Sequence, residues 1–445
     1  MSILRKNGFE TREQVSAFFT IVFSGQLVYS AFESLKIPFY DKLIDYYGLT
    51  DTQFGLLFTM LGVAMFFYIP GGWVNNRFNV RVVLISGLVY RLFSSLFIIL
   101  VRPSFSILMF VTFTWGVLDA IFWPAVVKGV ALYSGRANKG VGLGTLAALR
   151  AGGEAVLNGI LIGILTLAGG SMLVFKGGMI VYALLTIPMI VFIYRFVPGD
   201  PRVEGHVPDY DDAVQVSAKQ AFFALVATLK IARVWSAGIC GMCVYWVYMT
   251  IFYTEPFLTR AYGMSEANAS WFSVLSTIIF GVSGGIIGGL ISDKIVKSAA
   301  KTLLIVSLSA TAIMVYLAVL PKNPTWLVGA IVGIVALTFV VIMGTGIQQA
   351  PVAELHLPSY QVGSAMAVNS FLGFACILWA MTINGRILDA HESEPGAAFT
   401  QIFVLMAVVS AVGALAAGLL VWMNKRVAAA QELELGNELI SELVS

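Results

Sequence analysis

Along the 445 residues polar positions come in short clusters and apolar positions in long runs. A helix on a soluble core repeats apolar residues every three or four positions, and a half-buried strand every second one. Runs such as Met179 to Tyr194 do neither: they carry no charge at all. About 20 apolar residues cross a hydrocarbon core. Twelve runs qualify, at approximately 15–46, 51–75, 81–101, 105–134, 139–168, 174–197, 232–260, 265–291, 300–320, 325–353, 359–389 and 397–424. The long polar interruption, Pro198 to Lys230, divides six spans from six.

Composition agrees with the pattern and removes alternatives. With 58% hydrophobic and 11% charged residues the chain has too little polar surface for a soluble fold of this length. Charge-free runs rather than alternation argue against a membrane β-barrel. A net charge of +3 without a long basic cluster argues against a nucleic-acid partner. Cys240 and Cys243 form a CxxC inside an apolar span without other metal-ligand residues beside it, and with Cys376 they read as packing. His206, His356 and His391 lie far apart, so no catalytic or metal cluster is visible and neither an enzyme nor a cofactor is expected. No cleavable signal peptide is expected, because the polar start runs directly into a segment long enough to span.

Charge also sets topology. With a cytoplasmic N-terminus, 17 Lys and Arg fall on the cytoplasmic side and 7 opposite, Lys36, Lys42 and Arg260 among them; Arg91, Lys128 and Arg150 lie within spans. The excess places both termini in the cytoplasm. The tail QELELGNELISELVS reads as a solvated acidic helix.

The halves repeat. IPFYDKLIDYYGLT (Ile37 to Thr50) ends span 1 and EPFLTRAYGMS (Glu255 to Ser265) ends span 7; GGWVNNRFNVR (Gly71 to Arg81) and GGLISDKIVK (Gly288 to Lys297) each follow the next span. The offsets are 218 for Pro38 and Pro256, 215 for Tyr47 and Tyr262, and 217 for Gly72 and Gly289. Trp123-Pro124 in span 4 answers Ala350-Pro351 in span 10, and Val141-Gly142 answers Val362-Gly363. A near-constant offset indicates duplication, and two six-helix halves are the architecture of an alternating-access transporter.

On these motifs the chain resembles the major facilitator superfamily over essentially its whole length. The resemblance implies an all-α membrane protein, twelve transmembrane helices in two pseudo-symmetric six-helix bundles: residues 1–197, a cytoplasmic linker 198–230, residues 231–426 and a tail 427–445. The family's Gly-x-x-x-Asp-Arg/Lys signature is intact in its second copy as Gly289, Asp293 and Lys294. In the first, Asn76 stands between Gly72 and Arg77 where an acid is usual, so that latch loses its charge. These six residues are the expected conformational elements. The sequence is most similar to the organic-anion branches, organophosphate antiporters and carboxylate or hexuronate symporters, through the Pro-Phe ending of span 1 and the cadence from Trp123-Pro124 to Gly142. The organophosphate antiporters' paired basic residues fall near Ser30 and Tyr248, which are not basic, and span 5 lacks the proline of drug exporters.

A charge at mid-bilayer costs about 2.5–3.5 kcal/mol on insertion scales, so each needs a partner, water or a function. Glu33, Arg91, Asp119, Lys128, Arg150 and Glu154 all belong to the N-terminal half. Asp119 has Trp115 and Trp123 four residues to either side, on one helix face; desolvation there favours the neutral acid, making Asp119 a proton-coupling candidate unless it is salt-bridged to Arg91 or Arg150. Arg150 and Glu154, one turn apart, either neutralise each other or divide the work: Arg150 presents its fork to a carboxylate, sulfonate or phosphate, and Glu154 holds it when the site is empty. Glu33 is a third proton-coupling candidate, with a local Lys36 pair as the favoured reading. Arg91 reads as a structural partner and Lys128 as a snorkelling lysine. The C-terminal half supplies neutral groups for the rest of a solute: Tyr245, Trp246 and Tyr248 in span 7, Gln348 and Gln349 in span 10, Asn369 and Asn384 in span 11.

The expected function is a secondary transporter of a small organic anion, coupled to protons, acting as a monomer in the inner membrane. The competing reading is an exporter of amphipathic compounds by proton antiport, which a fully neutralised Arg150 would favour.

Overall fold

A computed structural model of the chain describes residues 11–133, 139–199, 223, 226–355, 357 and 359–444. These residues form helices separated by short turns, and among them there is no strand. Ten helices are long and apolar enough to cross a bilayer. The remaining two predicted spans, the first and second, are built from shorter pieces. Span 1 is Arg12–Ser30, a 3-10 turn Glu33–Leu35 and Tyr40–Tyr47; span 2 is Asp51–Gly62, a 3-10 stretch Val63–Phe67 and Tyr68–Arg77. The even apolar pattern predicts neither break. Spans 3 to 6 follow as Val80–Val101, Phe105–Tyr133, Lys139–Leu167, and Met172–Leu184 with Thr186–Phe196. The second half opens with Ala232–Met249, Thr250–Tyr253 and Thr254–Tyr262 as span 7, then Glu266–Leu290, Ala299–Val319, Leu327–Ile347 with Ala350–Ala353, Ser359–Phe374 through Ala380–Ala390, and Pro395–Val444. Observed ends lie within a few residues of the predicted ones except at the last helix, which runs on through the tail. Residues 200–222 of the linker, His206 and His356 lie outside the described residues.

The duplication is visible in the backbone. Spans 1 and 7 each break into a 3-10 turn and a short terminal helix, ended by Gly48 (φ 64°) and Gly263 (φ 69°) in the left-handed conformation. Two residues later Thr50 and Ser265 occupy the N-cap of the next span, and the Thr50 hydroxyl accepts from the Gln53 amide at 3.2 Å.

The apolar core shows how the halves meet. At the end remote from the termini one cluster runs through both halves, with Phe39, Tyr40, Phe54, Phe257 and Phe399 among its buried members. Toward the termini it divides: Phe18, Ile21, Leu84 and Phe122 pack within the first half, Val234, Leu355, Ala365 and Leu420 within the second. The halves are therefore zipped together at one end only.

Candidate functional site

Six charges converge midway along the N-terminal half. The break at residues 31–39 of span 1 turns Glu33 and Lys36 away from each other: Glu33 pairs with Arg91 of span 3, and the Lys36 ammonium lies 4.5 Å from the Phe252 ring and 5.4 Å from Phe58. This corrects two expectations, the local Glu33–Lys36 pair and the counting of Lys36 among the charges at the edge opposite the cytoplasm. Arg91 is 1% exposed and is the structural partner anticipated for a buried acid; its Nε donates to Val28 O at 2.8 Å.

Span 4 carries the centre. Trp115 donates to Ser94 Oγ at 2.8 Å and its ring lies 3.9 Å from the Arg91 guanidinium, while the Trp123 ring lies 4.5 Å from that of Arg150. Each indole thus supports one guanidinium. Tyr29 is shared by both cations, at 6.0 Å from Arg91 and 5.3 Å from Arg150. Asp119 sits in the field of Arg91, Glu33 and Arg150, yet its buried Oδ1 has no hydrogen-bond partner and the described ion pairs do not include it.

Arg150 and Glu154 are not an ion pair either. Glu154 faces Lys36, Arg150 and Gln26. Among the described residues no carboxylate lies within ion-pair distance of Arg150, and its buried Nε has no hydrogen-bond partner. Lys36, Arg91 and Arg150 against Glu33, Asp119 and Glu154 make a cluster of zero formal charge in which one guanidinium rests on aromatic faces with no carboxylate at ion-pair distance.

The neutral wall comes from the other half. Tyr245 and Tyr248 are 5.3 Å apart, Tyr245 meets the Phe374 edge at 4.8 Å, and Tyr248 shares the field of Glu154 and Arg150, so the two walls face each other. Asn369 donates to Gln349 Oε1, whereas Asn369 Oδ1, Gln349 Nε2, Gln348 Oε1 and the Trp246 Nε1 are buried without partners. A buried amide left open costs about 1–3 kcal/mol. Such a row is what a polar solute would satisfy. Asn384 is also buried with both side-chain atoms open.

The end remote from the termini carries a feature that sequence reasoning missed. Arg260, at the end of span 7, donates through Nε to Asp41 Oδ1 at 2.9 Å and through Nη1 to Asp51 Oδ2 at 2.8 Å, both in the first half. Reciprocally, Asp389 of span 11 accepts the Asp51 and Thr52 amides, each at 2.9 Å, capping span 2 from the other half. Glu255 accepts the Asp41 amide at 3.3 Å, Ser270 donates to Pro38 O at 2.5 Å, and Lys42 pairs with Glu266 at 2.8 Å. Glycines permit this approach. A Cβ on Gly385 would stand 2.3 Å from Asp51 O, and one on Gly55 2.5 Å from Met381 O. Glu255 is 2% exposed, so buried charge is not confined to the N-terminal half as expected. The signal was the repeat itself, which sets Arg260 opposite Lys42 at an offset of 218.

At the other end, Gly289 has open space around it, and Asp293 and Lys294 lie exposed on a π-helical turn Ile291–Val296. Arg77 is exposed; the side-chain surroundings of Gly72 and Asn76 lie outside the described residues. Asn75 does the tying here, donating to Gly71 O at 2.9 Å and Ile121 O at 2.8 Å. Lys128 donates to Asn75 O at 2.6 Å instead of snorkelling free.

Residues 22–381 match the model of the Major Facilitator Superfamily. The chain belongs to this family. Its members' fold accounts for the two zipped bundles, and membership makes the chain a multi-pass secondary transporter of a small molecule. Over 426 residues it is 27% identical to the inner membrane protein YihN of Escherichia coli (strain K12), covering 92% of this chain and 96% of that protein. To YqcE of the same organism, also an inner membrane protein, it is 23% identical over 369 residues, 80% of this chain and 83% of that one. Among solved structures it resembles a bacterial homologue of the human lysosomal transporter Spinster, inward-facing and unoccupied, with a TM-score of 0.71, 16% identity and 94% and 98% of the two chains covered. It also resembles the nucleoside transporter NupG, at a TM-score of 0.68, 13% identity and 92% and 99% coverage.

Proposed function

We propose that the chain is an inner-membrane symporter that takes up a small organic anion together with a proton. The observation that carries this is the neutral six-charge cluster in which Arg150 has no carboxylate partner. With all six groups ionised, an incoming anion leaves the desolvated site with one uncompensated negative charge, which low dielectric penalises heavily. Protonation of one acid removes it. Anion and proton therefore favour each other's binding, the reciprocity that coupling requires. Arg150 holds the carboxylate, sulfonate or phosphate with its fork; Tyr245, Tyr248, Gln348, Gln349 and Asn369 receive the neutral part. Asp119, without a hydrogen bond, is the first proton acceptor, with Glu154 and Glu33 beside it.

The positive-inside asymmetry puts both termini in the cytoplasm, so the end zipped by Arg260 is the outer one and the conformation is inward-facing. Gly72, Asn76, Arg77, Gly289, Asp293 and Lys294 then belong to the inner latch that forms when the outer zip opens. An exporter of amphipathic compounds fits less well, because it calls for an Arg150 neutralised by a paired acid, and among the described residues no carboxylate lies within ion-pair distance of it.

The test uses purified protein in liposomes, a panel of labelled small acids, sugar acids, sulfonates and phosphate esters, and both an imposed pH gradient and counterflow. Accumulation of at least one acid with the gradient is expected. Movement of none of them, or equal transport by wild type and Arg150→Ala, refutes the reading.

A further inference from the structure

We propose that the groove between spans 9 and 12 is a binding site for an anionic glycerophospholipid, its acyl chain lying in the groove and its phosphate on the basic side chains at the mouth. The groove has a volume of about 750 Å³ and is lined by Leu304, Leu308, Leu415, Gly418, Leu419 and Trp422. Leu308, Leu415 and Leu419 are exposed on the membrane-facing side of the fold, and Gly418 deepens the floor: a Cβ there would meet only Leu304, at 4.0 Å. From Leu304 to Thr311 the lining runs two turns of span 9, roughly 10 Å at 1.5 Å per residue. Any apolar surface of this fold meets lipid tails. This groove differs in its end.

The Gly418–Leu304 contact sets the register of the two antiparallel helices, so the next side chains toward the termini are Trp422, Lys425 and Arg426 on span 12 and Lys301 on span 9, with Lys297 in the turn just before span 9. The Arg426 guanidinium lies 3.9 Å from the Trp422 ring, holding a cation at the groove's end. All four cations are exposed, and among the described residues none is ion-paired. Of the acids nearby, Asp293 is exposed on its own turn and Glu354 accepts the Ala299 amide at 2.7 Å. An apolar slot ending in unpaired cations at headgroup depth is complementary to a chain joined to a phosphate, and not to a neutral lipid or to an identical, equally basic copy of itself.

Native mass spectrometry of the full chain in neutral detergent, titrated with phosphatidylglycerol and with phosphatidylcholine of identical acyl chains, tests this. Wild type is expected to retain phosphatidylglycerol preferentially, each cation contributing about fivefold. The Lys301→Ala/Arg426→Ala double variant should cut that preference about 25-fold, the share of the two cations removed, with phosphatidylcholine adducts unchanged. Gly418→Phe, which fills the groove, should lower both. Leu415→Trp fills the same space from an exposed position and serves if Gly418→Phe does not fold. Equal retention of the two lipids by wild type, or an unchanged preference in the double variant, overturns the proposal. So does a wild-type dimer that the groove-filling variants abolish, which would give the groove to a second copy.

Discussion

Replacing Arg260 by Ala should unlock the end remote from the termini, the outer end on the proposed orientation. Its guanidinium makes four charge-assisted bonds to two carboxylates, between 2.5 and 3.2 Å, with the Arg260 side chain 25%, Asp41 19% and Asp51 11% exposed. Such bonds contribute about 1.5–3 kcal/mol each in favourable settings, but those sharing one guanidinium are not independent and the site is partly wet, so about 3 kcal/mol for the set is a fair figure. Removal does more than cancel an attraction. Asp41 and Asp51 of the first half would then face Glu255 and Asp389 of the second with no cation between them, and repulsion adds to the loss. A shift of about 3 kcal/mol is roughly a hundredfold, enough to take a conformer held at about 99:1 to near parity.

Spin labels at Asp45→Cys and Glu392→Cys, both exposed at this end and on opposite halves, read that population directly; the native Cys240, Cys243 and Cys376 are buried. Wild type should give one short distance distribution by pulsed electron resonance, and Arg260→Ala a second, longer one of comparable weight. Arg260→Lys should fall between, because a point charge cannot serve two carboxylates as a planar fork does. Distances unchanged by Arg260→Ala would refute the assignment of this network as the outer closure.

Three further outcomes follow from the site. Arg150→Ala should weaken anion binding by about a hundredfold or more, the loss of two charge-assisted bonds, with Arg150→Lys recovering part; binding calorimetry on a transported acid checks it, and equal affinities refute it. Asp119→Asn leaves the cluster one positive charge in excess, so it should keep counterflow while losing accumulation driven by a pH gradient; undiminished accumulation removes Asp119 from the coupling. Gly385→Val places side-chain atoms where Asp51 O already stands, and overpacking of this kind costs about 1–3 kcal/mol. The same spin-label pair should show the longer distance, and an unaltered short one would mean that the backbone contact is not needed for closure.

The fold was legible because a bilayer demands long apolar runs, and those runs were read to within a few residues. The breaks in spans 1 and 2 were not, since Phe32 leaves the helix (φ −146°, ψ −63°) amid residues as apolar as their neighbours. That one break misassigned two charges. On an unbroken helix Glu33 and Lys36 share a face, whereas here Glu33 reaches a partner 58 residues on and Lys36 turns to aromatic rings. Arg150, Asp119 and Glu154 were findable because an intramembrane charge is expensive wherever it sits. Arg260 was not, because its partners lie more than 200 residues away and a charge at a span's edge reads as topology.

What the duplication conserved and what it let diverge also separates scaffold from function. Gly48 and Gly263 end their helices alike, and Thr50 and Ser265 start the next spans alike, so the backbone can rock about a shared geometry. The side chains near mid-membrane do not repeat: Asp119 answers to about Gly346 and Arg150 to about Phe371. On the proposed reading, one half holds charges that a proton and an anion can neutralise, and the other holds open amides and rings that reward a solute for filling the gap. A ligand held as proposed, by Arg150 on one side and Gln348, Gln349 and Asn369 on the other, would bridge the halves at their middle. Binding then favours conformers in which the walls approach, and only differential contact of this kind can drive the outer zip and the inner latch in turn.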